Sequence, residues 1–240
     1  KPNRDNVAAF LDAKWSLNQL AIFSSIRHDS TQDFNSQNTW KLAADYQITE
    51  QIRIFSNLGS AFKLPSLYAL SNNLIGNPDL KPEEAFNKDV GLEWEMENTK
   101  VSISLFSYKY KDLVDFDAEL FSLVNRSNIT TQGFELLVNS QITEQFSISA
   151  DVTKATIDVD NGTSLTGRPE WQGGIHISYK FSPEFSTDIR VNYVGETIGS
   201  SLHSGDFNIY ELNSYNKVDA NIRCNYQQIH SLDIYFQNVF

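Results

Sequence analysis

The sequence predicts an all-β protein, an antiparallel membrane-spanning β-barrel with about twelve strands in this chain. Three observations predict it. Apolar and polar residues alternate with a period of two through one window after another, the links between windows alternate short and long, and aromatic residues collect at window ends. A strand sends successive side chains to opposite faces, so this alternation gives each strand one oily and one hydrophilic face. Membrane barrels add tight turns on one rim, long loops on the other and aromatic girdles at both interfaces.

The strands are expected at residues 6–15, 17–28, 39–48, 51–60, 85–97, 99–112, 128–141, 144–157, 171–181, 184–195, 216–227 and 229–240. Trp40, Leu42, Ala44, Tyr46 and Ile48 alternate with Lys41, Ala43, Asp45 and Gln47 in the third. Ile175, Ile177, Tyr179 and Phe181 alternate with His176, Ser178 and Lys180 in the ninth, and Val218, Ala220, Ile222 and Cys224 with Asp219, Asn221 and Arg223 in the eleventh. In the sixth strand Val101, Ile103 and Leu105 fall on odd positions but Phe106, Tyr108 and Tyr110 on even ones, which predicts a bulge near Leu105-Phe106.

Short links are expected near Ser16, Thr49, Asn98, Thr143, Pro183 and Gln228, and long ones over 29–38, 61–84, 113–127, 158–170 and 196–215. The pentapeptide Gln47-Ile48-Thr49-Glu50-Gln51 recurs as Gln141-Ile142-Thr143-Glu144-Gln145, each time at a short link. Trp15, Trp40, Trp94, Trp171, Tyr193 and Tyr226 sit towards strand ends, where rings settle at headgroup level. A soluble β-sandwich also alternates, with its apolar face turned to a shared core, but its loop lengths need not; pattern alone leaves it open.

Composition narrows the class. The net charge of −11 and the lack of any Lys/Arg cluster exclude a nucleic-acid binder, whose phosphates need a basic surface. Cys224 is the single cysteine of 240 residues, so no internal disulfide forms. No apolar run is long enough for a transmembrane helix. The mean hydropathy of −0.36 fits a barrel, because only alternate residues meet lipid. No leader-like segment precedes Lys1, so an exported protein is expected to be represented here by a mature chain or an internal stretch.

One stretch carries a family signature. Ala61-Phe62-Lys63-Leu64-Pro65 is followed, after a polar gap, by Gly76-Asn77-Pro78-Asp79-Leu80-Lys81-Pro82-Glu83. This pair resembles the barrel motif of TonB-dependent outer-membrane receptors. Asp89 to Glu95, Val101 to Val114, Gly133-Phe134-Glu135-Leu136, Leu165 to Pro169 and Gln237 to Phe240 resemble later family strands, in the family's order. The resemblance implies that residues 1–240 are one partial barrel domain, about twelve strands of a 22-stranded receptor barrel whose plug domain and flanking strands lie outside this chain. It is nearest the vitamin B12 (cobalamin) receptor branch, with the siderophore branch close behind. It further implies the outer membrane of a Gram-negative bacterium, with surrounding lipid and lipopolysaccharide. The implied function is uptake of a scarce bulky ligand, cobalamin or a ferric siderophore, driven by the inner-membrane TonB complex through the plug and its TonB box. A complete small barrel acting as a passive pore or enzyme, and a soluble carbohydrate-binding β domain, are the rival expectations.

No catalytic constellation is visible, and neither a cofactor nor a resident metal is expected. His28, His176, His203 and His230 lack metal-type spacing. Asp158-Val159-Asp160-Asn161-Gly162 resembles the start of a calcium loop but lacks its distal Glu. Asp112, Asp115, Asp117 and Glu119 read as a solvated acidic loop. Ligand contacts are expected from the long loops: Phe62, Tyr68, Asn72, Asn73, Phe116, Phe121, Arg126, Arg168, His203, Tyr210 and Tyr215. Their aromatic content suits a bulky organic ligand.

Overall fold

A computed structural model describes residues 4–117, 120–126, 128–160, 165–203, 206–226 and 230–239, with backbone alone at 202–203 and 206–207. In chain order the elements are β1 (Asn6–Leu17), β2 (Leu20–Thr31), β3 (Gln37–Gln47), β4 (Ile52–Lys63), α1 (Leu67–Ser71), β5 (Glu83–Met96), β6 (Thr99–Lys111), β7 (Leu113–Asp117) and β8 (Ser122–Arg126). There follow β9 (Ile129–Thr143), β10 (Phe146–Val159), β11 (Trp171–Lys180), β12 (Phe185–Val194), β13 (Thr197–His203), β14 (Asp206–Leu212), β15 (Tyr215–Tyr226) and β16 (His230–Phe236). Twelve of them form one antiparallel sheet in the order β1-β2-β3-β4-β5-β6-β9-β10-β11-β12-β15-β16, while β7-β8 and β13-β14 are separate hairpins. Each sheet strand thus pairs with the next in sequence, and both hairpins are insertions in long loops.

The chain divides into two compact units, Lys1–Gly91 with Leu105–Gln132 and Ile157–Ser164, and Leu92–Ser104 with Gly133–Thr156 and Leu165–Phe240. In the first unit the register aligns Leu11 with Ile26 and Trp15 with Ile22, then Ile26 with Trp40, Ile22 with Ala44 and Leu20 with Tyr46, then Leu42 with Leu58 and Tyr46 with Ile54. Directly opposed residues share a face. Arg27, Lys41, Asp45, Arg53 and Asn57 lie on the other, where Arg53 pairs with Asp45 and Asn57 donates to Asp89 at 2.8 Å. The second unit repeats the division. Ile148, Ile177, Ile189, Ala220 and Phe236 form one apolar row, beside Ala150-Ile175-Val191-Val218. The opposite face carries the rows Ser147-Ser178-Asp188-Asn221 and Ser149-His176-Arg190-Asp219.

Among the described residues of each unit, the apolar face is covered by no second sheet. Among the described residues the buried apolar side chains are Pro65, Ala69, Leu80, Phe106 and Ile129 alone, while Leu11, Ile26, Trp40, Leu42, Ile175 and Ile189 are exposed. A sandwich stacks its apolar faces on each other. This arrangement overturns that reading and instead fits a surface solvated by hydrocarbon.

Three of the tight turns share a chemistry. Thr49 Oγ1 accepts from the Gln51 and Ile52 amides at 3.2 and 3.1 Å, while Gln47 Nε2 donates to the Thr49 carbonyl at 2.7 Å. Thr143 accepts from Gln145 and Phe146 at the same 3.2 and 3.1 Å, with Gln141 donating to its carbonyl at 2.7 Å. Ser182 repeats the hydroxyl contacts with the Glu184 and Phe185 amides, both at 3.2 Å. The first link falls at Asn18-Gln19 rather than at Ser16, because Asn18 supplies a φ of 49° there. The link expected near Gln228 lies outside the described residues. The final strand stops at Phe236, short of the expected 240; Asn238 turns with φ 52° and its amide donates to Asp219 at 3.0 Å.

The expected bulge in the sixth strand is not needed. Lys100 reaches Glu93 at 3.2 Å and Lys111 reaches Glu84 at 3.6 Å, contacts that join opposite parities on both strands, as unbroken alternation requires. Ile103 and Leu105 are exposed, while Phe106 is buried and stacks on Tyr108 at 5.0 Å. The break in phase is a change in which face is aromatic.

Candidate functional site

The long loop between β4 and β5 is organised by its own side chains. Pro65 ends the strand by removing an amide donor. Ser66 then caps α1, its Oγ accepting from the Ala69 amide at 3.0 Å. Asn72 closes the helix and accepts from the Leu74 and Ile75 amides at 2.9 and 3.0 Å. Gly76 follows because a Cβ there would lie 2.5 Å from the Asn72 carbonyl oxygen. Asn77 ties the next turn, its amide donating to Ala69 O at 2.8 Å and its Oδ1 accepting from Asp79 N at 2.9 Å.

The β7-β8 hairpin clasps this loop. Leu123 N donates to Ile75 O at 2.8 Å, and Asn77 Nδ2 donates back to Leu123 O at 2.9 Å. Asn125 holds Lys81 at both ends, accepting from its amide at 2.8 Å and donating to its carbonyl at 3.1 Å, and also donates to Asp112 O at 2.6 Å. Glu83 accepts from Val114 N at 3.2 Å and from Lys63 Nζ at 3.1 Å, so one ion pair joins the two halves of the signature stretch. The sequence pattern marks no contact for Asn125, and it shows Glu83 only as the end of the signature stretch. The opposite charges of Lys63 and Glu83 at the two ends of the loop were the available signal for one of them.

Four candidate ligand residues fall within this assembly. Phe116 and Phe121 meet edge to face at 5.5 Å across the hairpin. Arg126 bonds Asp115 at 3.3 Å and Asp117 at 3.4 Å, and Asn72 is committed to its own turn. The acidic loop is therefore corrected: Asp115 and Asp117 are partnered strand residues, and Glu119 lies outside the described residues. Phe62, at the end of β4, lines a 410 Å³ groove with Phe86 and Tyr110. Tyr68 and Asn73 are exposed.

In the second unit Tyr210 of β14 packs across Gly199 of β13, and Tyr215 opens β15 exposed. Arg168 is exposed next to Gly167, whose amide donates to Ile198 O at 2.7 Å. His203 pairs through its backbone with Asp206, and its side chain lies outside what is described. His176 lies on the hydrophilic face, 3.3 Å from Asp188 and 3.5 Å from Ser178. His28 meets Asn38 at 2.8 Å. Among the described residues no cluster of three or more His, Cys, Asp or Glu is placed to hold a metal ion. Asn161 and Gly162 of the calcium-like stretch lie outside the described residues.

Known proteins resemble this chain in sequence and in architecture. The chain is 28% identical over 225 residues to the vitamin B12 transporter BtuB of Vibrio cholerae serotype O1, covering 92% of this chain and 36% of that protein. It is 26% identical over 228 residues to the metal-pseudopaline receptor CntO of Pseudomonas aeruginosa, covering 89% and 31% respectively. The chain thus spans about a third of the length of these relatives. Its fold superposes on the siderophore receptor PirA of Acinetobacter baumannii with a TM-score of 0.83 at 16% identity, over 99% of this chain and 42% of that one. Residues 1–239 match the family described as TonB dependent receptor-like, beta-barrel, so this chain belongs to the TonB-dependent receptor barrels of the Gram-negative outer membrane.

Proposed function

We propose that the protein containing this chain is an outer-membrane receptor that takes up a scarce, bulky ligand, cobalamin in the first instance and a ferric siderophore in the second. The observation that carries this is the family match over 1–239, on strands whose apolar face is exposed among the described residues. Cobalamin leads because the relative named as a vitamin B12 transporter aligns over 92% of the chain. Nanomolar capture corresponds to about 12 kcal/mol, so the ligand leaves slowly unaided. Release inward then needs work, which the TonB complex would deliver through the plug and TonB box of the whole receptor. The long loops would gather the ligand, and the hydrophilic face would line its route. Lipopolysaccharide would surround the apolar face.

The test is uptake of radiolabelled cyanocobalamin, or of ferric siderophores, by cells expressing the full receptor with and without TonB. TonB-dependent accumulation of one of them supports the reading. Accumulation indifferent to TonB returns the passive pore, and no accumulation of either ligand class sinks the proposal.

A further inference from the structure

A groove of about 710 Å³ lies on the apolar face of the second unit. Small-molecule pockets span about 300–1,000 Å³, so this is a sizeable depression for a surface expected to be smooth. Ala150, Val152, Gly173, Ile175 and Val191 line it from the apolar side of the register, and Asp151, Gln172 and Gly174 of the opposite parity border it as well. Gly173 cannot be enlarged without cost, since a Cβ there would sit 2.5 Å from the Asp151 carbonyl oxygen. Trp171 and Tyr193 stand at one end. That end adjoins the long loops after β10 and β12, the rim that faces outward in such barrels.

Lys154 lies opposite Trp171 in the register, its Nζ 5.2 Å from the ring centroid. Among the apolar-face positions that the register sets in β10, β11, β12, β15 and β16, it is the only Lys or Arg, and no Asp or Glu occurs there. A lone cation on an oily surface, at headgroup depth and beside a groove, is complementary to an anionic amphiphile. We propose that the groove seats an acyl chain of a phosphorylated outer-leaflet glycolipid of the lipid A type, with a lipid phosphate paired to Lys154. The proposal rests on the reading that the apolar face meets lipid, and is independent of which ligand is taken up.

The experiment uses the full-length receptor, extracted from outer membranes in mild detergent and examined by native mass spectrometry. Bisphosphorylated lipid A and a phosphate-free analogue are added in turn. The intact receptor should retain the phosphorylated form at least tenfold better. Lys154→Gln should abolish that preference, Val191→Trp should lower retention of both forms, and Lys217→Glu on the hydrophilic face should change neither. A benzophenone-bearing lipid should label the β10 to β12 face of the unsubstituted receptor, a readout that does not depend on any variant folding. Equal retention of the two lipids, unchanged preference in Lys154→Gln, or labelling elsewhere would overturn the lipid site. A receptor absent from the outer membrane would instead overturn the facing assignment beneath it.

Discussion

Arginine scanning along β11 puts the facing assignment to a quantitative test. Trp171 and Tyr179 bracket the apolar row Gly173, Ile175 and Ile177. At a rise of about 3.3 Å per residue, Ile175 is about 13 Å along the strand from each ring, and Ile177 about 7 Å from Tyr179. With a tilt near 45°, Ile175 sits close to the bilayer midplane and Ile177 about 5 Å to one side. Arginine facing lipid costs roughly 2–4 kcal/mol at the midplane and about 0–1 near an interface. Ile175→Arg should therefore shift the folding equilibrium roughly 30- to 700-fold towards the unassembled state. Ile177→Arg should fall between that and no effect. Ser178 is registered opposite Asp188 on the hydrophilic face and donates to it, so Ser178→Arg gains a carboxylate neighbour. It should stay within about 0.5 kcal/mol of the parent. Urea titration of full-length receptor in vesicles, read by gel heat-modifiability, gives all three values. Equal destabilisation by the three substitutions, or Ser178→Arg as the most damaging, would refute the assignment of faces.

The loop clasp and the turns yield further tests. Asn125→Ala removes three hydrogen bonds worth about 0.5–1.5 kcal/mol each, and should speed amide exchange at Lys81 and proteolysis within 72–82 while the sheet stays intact. Gly76→Ala must displace the Asn72 carbonyl; the expected result is weaker ligand binding by the full receptor at unchanged barrel stability, measured by titration and melting. Thr143→Ala should cost about 0.5–1.5 kcal/mol in the same urea assay, and Thr143→Ser almost nothing, because Ser182 already makes the same turn.

The twelve sheet strands were legible because a period of two survives wherever a strand separates oil from water. Ile175, Ile177 and Tyr179 could be assigned to a face from sequence alone. The features inside the long loops were not legible. β7 and β8 are five residues each, and Asp115 and Asp117 masked their alternation until Arg126 supplied a partner. α1 has five residues, too few for a helical period to register. Asn125 makes its contacts across 44 residues of sequence to Lys81, and nothing local marks it. Phe106 and Tyr108 misled in another way. Aromatic rings on the hydrophilic side of a strand look like a slipped phase when only one kind of apolar face is expected.

The hydroxyl-tied turns at Thr49, Thr143 and Ser182 have a kinetic consequence. Slippage by a single residue would invert every side chain of a strand, exposing charge to acyl chains. A corner that fixes its own geometry selects the correct pairing between neighbours before distant parts of the polypeptide have met. Hairpins form in about 1–10 μs, far sooner than non-local sheets assemble. Each such corner can thus deliver a correctly phased pair of strands to the growing wall, and assembly can advance pair by pair with no global search for alignment.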